Sequence, residues 1–87
     1  MSGTSITIKG ETIPLENATL DLEAATITCS YSEALANAFT GWMPVDVLLN
    51  MQPCKFPVLL RVIDVEVLQQ SQMIIIEFDG PAPKLDG

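Results

Sequence analysis

Eighty-seven residues, 48% of them hydrophobic, carry eleven acidic and four basic side chains and no histidine, for a formal charge of −7. That balance excludes a basic footprint for nucleic acid and an electrostatic attraction to anionic lipid. The missing histidine removes the usual general base near neutral pH, and with it Ser-His and Cys-His nucleophile pairs.

The length corresponds to one small domain, 1–87. A domain of this size buries only about 60–65% of its unfolded surface, so a chain this apolar is expected to leave aliphatic side chains outside. The segment 1–5 reads as a small, polar N-terminal tail. No apolar signal-peptide core follows it and no apolar run is long enough to cross a membrane, so synthesis in the cytoplasm is expected.

Ile6 and Ile8 alternate with Thr7 and Lys9 as a short strand, and Gly10-Glu11 is a turn. Thr12 to Leu15 can return beside it, with Pro14 confining that return to an edge or a strand end. Thr19 to Glu23 alternates with Leu20 and Leu22 inward, and Thr26 to Tyr31 with Ile27, Cys29 and Tyr31 inward. The inward parity changes across Ala24-Ala25. Either a bulge or a tight turn produces that change, and the lack of Gly, Asn or Pro favours the bulge.

Ser30-Tyr31-Ser32-Glu33 fits a capping box, and the following residues predict a short helix from about 32 to 39 with Leu35, Ala38 and Phe39 buried. Gly41 is placed to end it and Pro44 prevents its continuation. Val45, Val47, Leu49 and Met51 share one strand face, opposite Asp46, Leu48 and Asn50. A loop bracketed by Pro53 and Pro57 follows.

The segment 58–78 is strongly apolar, with Gln69 to Gln72 its one polar break, and reads as a hairpin. Pairing Leu68 with Met73 sets Val67 opposite Ile74, Val65 opposite Ile76 and Ile63 opposite Phe78, an apolar face for the core. The other face sets Glu66 opposite Ile75 and Asp64 opposite Glu77. The parity of Val58, Leu60 and Val62 differs from that of Ile63, Val65 and Val67, which marks a second bulge at Val62-Ile63. The Pro-containing segment 81–87 reads as an extended C-terminal tail. The expectation is a mainly β fold: an antiparallel sheet, small barrel or sandwich of about five to seven strands, with one short helix.

Chemistry is sparse. Cys29 and Cys54 are too far apart in sequence for a C-x-x-C motif, and they are expected as buried free thiols unless neighbouring strands pair them. Asp64, Glu77 and Asp79, with Glu66 nearby, form the one acidic constellation that a cation could relieve. A solvated face is the plainer reading, and no cofactor or metal is expected. Trp42 and Met43, in a loop, and Leu68, Met73 and Ile75, on the second hairpin face, are the candidate interface residues. The reading is a non-enzymatic structural or assembly subunit. Its partners would be proteins, either further copies in a homo-oligomer or neighbouring subunits, in a particle such as a virion or phage tail. The alternative is a small acidic protein that docks on a basic site of a partner.

Overall fold

The computed structural model describes residues 4–39, 44–51 and 57–80. Seven strands and one helix follow in chain order: β1 (Thr4–Ile8), β2 (Glu11–Leu15), β3 (Thr19–Asp21), β4 (Thr26–Ser30), α1 (Glu33–Ala38), β5 (Val45–Asn50), β6 (Val58–Leu68) and β7 (Met73–Phe78). All seven strands belong to one antiparallel sheet, in the order β2-β1-β5-β6-β7-β4-β3. Of the expected architectures, the single sheet is the one formed and the two-sheet sandwich is not. β1 takes in Thr4 and Ser5, which the sequence places in the N-terminal tail. Trp42, Met43, Gly41, Cys54 and the tail 81–87 lie outside the described residues.

The sheet curls. Laid flat, seven strands at about 4.8 Å spacing would set β2 and β3, its two edges, about 29 Å apart. The link Glu16–Ala18 joins those edges, and a chain of that length spans at most about 14 Å. The Ser30 N–H donates to the Glu16 carbonyl at 2.9 Å and Asn17 Nδ2 donates to Ser30 Oγ at 2.8 Å. The end of β2 is thereby held against β4, and the sheet wraps round one core.

The inward residues follow the strand alternation: Ile6, Ile8, Ile13, Leu15, Ile27, Cys29, Val47, Leu49, Leu60, Val62, Ile74, Ile76 and Phe78 are buried, joined by Leu35, Phe39 and Met51. Among the described residues no polar or charged side chain is buried. Pro14 lies on β2, an edge strand, where its missing N–H breaks no ladder.

Three hairpin loops use left-handed backbone. Lys9 (φ 53°) and Gly10 (φ 85°) form the two-residue connection of β1 to β2, with the primed-turn geometry that matches strand twist. The loops Leu22–Ala25 and Gln69–Gln72 each close on a residue at positive φ, Ala25 (55°) and Gln72 (56°). The parity change at Ala24-Ala25 is therefore a turn and not a bulge. Asp21 Oδ1 accepts from the N–H groups of Glu23 (3.0 Å) and Ala24 (3.1 Å), so an aspartate does the work expected of Gly or Asn. Leu22 falls in that turn and is exposed, where alternation alone sets it inward.

Ser32 caps α1, its Oγ accepting from the Leu35 N–H at 3.3 Å. Ser30, the expected cap, stays in β4, its N–H on the Glu16 carbonyl and its Oγ accepting from Asn17 Nδ2. Leu35 and Phe39 carry the buried face of the helix, with Ala38 half-buried.

Candidate interaction surface

β6 is the longest strand and changes partners midway. Val58–Val62 pairs with β5 on one side, and Val62–Leu68 pairs with β7 on the other. A register shift lies between Val62 and Asp64, so the expected bulge is present, with Ile63 as the extra residue. Phe78 faces Val62, not Ile63, and Ile63 is 43% exposed. An inserted residue has no partner across the ladder, so nothing there holds Ile63 against the core.

Past the bulge, Val65 faces Ile76 and Val67 faces Ile74, the expected pairing. Their burial differs from expectation. Ile74 and Ile76 are fully buried, Val65 is half-buried and Val67 is 39% exposed. β7 has strands on both flanks, whereas β5 pairs with β6 only as far as Val62. Among the described residues, Asp64–Leu68 has β7 as its one strand partner.

The backbone there is open in a defined way. The Phe78 N–H donates to the Ala25 carbonyl, away from β6, at 3.0 Å. Hydrogen-bonding direction alternates along an antiparallel strand, so Ile76 and Ile74 also turn towards β4 while Glu77, Ile75 and Met73 turn towards β6. Asp64, Glu66 and Leu68 therefore spend their backbone groups on β7. Val65 and Val67 direct theirs to the opposite side, where among the described residues no strand pairs with them.

On the outward face, cross-strand rows can be read from the register. Before the bulge, Leu48 (42% exposed) stands opposite Leu59 (67% exposed), with Thr7 next to Leu48 on β1. Thr7 and Thr12 hydroxyls are 3.0 Å apart, and Arg61 Nε lies 3.4 Å from Asp46 Oδ1 in an exposed ion pair. Past the bulge, one row runs Asp64, Glu77, Thr26, Asp21 and the next runs Glu66, Ile75, Thr28, Thr19. Leu68 and Met73 stand opposite each other near the hairpin tip. The three candidate interface residues on this hairpin, Leu68, Met73 and Ile75, thus share the outward face and are half-buried. Trp42 and Met43 lie outside the described residues. Leu48, Leu59, Ile63 and Val67 are more exposed than any of the three. For Leu59 the signal was in the alternation, since Val58 and Leu60 point the other way.

Asp64 and Glu77 stand opposite one another as expected. Among the described residues no group of three or more Asp, Glu or Cys is placed to hold a metal ion. Cys29 is a buried free thiol, and burial pushes its pKa up from the ordinary 9.0, away from nucleophilic reactivity. Among the described residues, no helix is long and apolar enough to cross a membrane. Compared with known proteins, the chain matches no family model, no curated protein and no solved structure.

Proposed function

We propose that the protein is a non-enzymatic structural subunit that works through contacts with other protein chains, further copies of itself or neighbouring subunits, in a larger oligomer. The observation that carries this reading is the set of aliphatic side chains left outside on β5 and β6: Leu48, Leu59, Ile63 and Val67. A single exposed leucine is ordinary, but a facing pair at Leu48 and Leu59 in so small a domain is apolar surface that association would cover. A virion or phage-tail particle is the finer form of this proposal, supported by analogy with other small β-domains that build such shells. The second reading, an acidic protein that docks on a basic site, draws on the carboxylates of the other half of the sheet: Asp21, Asp64, Glu66 and Glu77.

Light scattering behind size-exclusion chromatography, at low and high salt, tests the assembly reading. The expected result is a mass above that of one chain which persists or grows at high salt, as apolar contacts do. Leu59→Lys is expected to return the chain to a monomer with an unchanged far-ultraviolet circular dichroism spectrum. A wild-type monomer at every concentration and salt would overturn self-assembly.

A further inference from the structure

We infer that the edge of β6 between the Ile63 bulge and Leu68, which has no strand partner among the described residues, receives one extended strand of a different protein, a strand with lysine or arginine on its outward face and aliphatic residues on its inward face. The inference rests on the reading of the protein as a subunit that acts through protein contacts, and it names the chemistry of one partner.

Three features of the edge specify the occupant. The first is the backbone. Val65 and Val67 direct their N–H and C=O groups to the side where no strand pairs with them among the described residues, two residues apart, which is the spacing that an added strand meets. The second is the inward face. Ile63 and Val67 are 43% and 39% exposed, and an aliphatic residue on a neighbouring strand would cover Val67 as β4 covers Ile74. The third is the outward face. Asp64 and Glu66 flank Val65, and Glu77 stands one strand further in, opposite Asp64. The sequence has no lysine or arginine between Arg61 and Lys84, so β6 and β7 have no cation of their own past the bulge. Opposite charges facing each other across a strand pair are stabilising and like charges are not, so a basic strand fits and an acidic one does not.

A second copy of this chain fits poorly. The two-fold register that satisfies both open residues pairs Val65 with Val67 of the copy, and it sets Glu66 opposite Glu66. Each copy also brings a charge of −7. The same carboxylates that invite a basic strand therefore keep copies of this chain from pairing edge to edge. Self-association, where it occurs, would use the Leu48–Leu59 face.

The test is a titration of the full chain, isotopically labelled, with a short peptide whose centre alternates lysine and valine, read by amide shifts and hydrogen exchange. The expected result is selective shifts and new protection at Val65 and Val67, with affinity that falls as salt rises. A peptide with glutamate in place of lysine, and one N-methylated on alternate amides, should not bind. Asp64→Lys with Glu66→Lys, both exposed positions, should weaken the lysine peptide at least about tenfold and let the glutamate peptide bind. Should that double variant not fold, the salt dependence and the N-methylated peptide on the unaltered chain decide the matter. Val65 and Val67 already protected in the chain alone would overturn the inference, because the edge would then be covered from within. So would a lysine peptide that leaves both amides unprotected at millimolar concentration, the outcome expected if the carboxylates only keep copies apart. Light scattering on the same samples separates the two proposals: a chain that assembles but ignores the peptide loses only the edge site, and a monomer that takes the peptide loses only self-assembly.

Discussion

The two halves of β6 are made of similar residues and end in different surroundings. Leu60 and Val62, before the bulge, are 4% and 0% exposed, whereas Val67, after it, is 39% exposed although its parity also points inward. Strand pairing alone does not separate them: among the described residues Leu60 pairs with β5 only and Val67 with β7 only, and Val62 is where both partners meet. Inward parity is thus necessary for burial and not sufficient. The outward face changes at the same place, from facing leucines and one ion pair to rows of carboxylates.

The largest effects should come from truncations that compare the halves directly. Ile76→Ala, in the fully buried row behind Val65, is expected to cost about 2–5 kcal/mol. That is a large part of the roughly 4–13 kcal/mol that a chain of this length commands. Val62→Ala should cost about 2 kcal/mol and Val67→Ala under about 1 kcal/mol, read as shifts in urea midpoint at constant slope. Equal costs at Val62 and Val67 would erase the distinction between the halves.

Cys29 sharpens the comparison from within, because it lies in the row Val67, Ile74, Cys29 that starts at the open edge. Burial raises its folded pKa, so the folded chain holds the thiol proton at a pH where the unfolded chain releases it. Its contribution is full below the unfolded value near 9.0 and is lost as pH rises from there through the folded value. In a Cys54→Ser background, urea midpoints should therefore fall from pH 8 upward, and a thiol reagent should react with Cys29 only as fast as the chain opens. Rapid reaction in the native state would mean that solvent reaches two strands in from the edge.

A smaller effect is expected at the loop that closes the open half. Gln72 is exposed and sits at φ 56°, a conformation that side chains pay for and glycine does not. Gln72→Gly should raise stability by about 0.5–1 kcal/mol, after the loss of its surface hydrogen bond to the Gln69 carbonyl. The exposed Arg61–Asp46 pair marks the small end of the range: Arg61→Met should move stability by no more than about 0.5 kcal/mol.

Much of the fold was legible because alternation is a strong signal when one face is buried. The pairing of Leu68 with Met73 and of Val65 with Ile76, the bulge beside Val62 and the two faces of β5 all follow from it. Local chemistry was less legible. The Ala24-Ala25 turn carries no turn residue of the usual kind, since Asp21 supplies its hydrogen bonds from outside the loop. Two serines compete for the helix cap, and Ser32 wins because Ser30 is held in the sheet by Glu16 and Asn17. The strand order was not legible at all, and the open edge depends on it: nothing in VIDVEVL says that β5 stops opposite Val62. Leu68, Met73 and Ile75 were placed on the correct face by parity, while the greater exposure of Val67 and Ile63 waited on the neighbours.

Amide hydrogen exchange at residue resolution along β6, in the chain alone, tests the account most directly. Val62, whose amide turns towards β5, should be strongly protected along with Leu60. Val65 and Val67 should exchange many times faster in the same strand. Uniform slow exchange from Val58 to Leu68 would contradict the account, for it would show that the edge past the bulge is already paired.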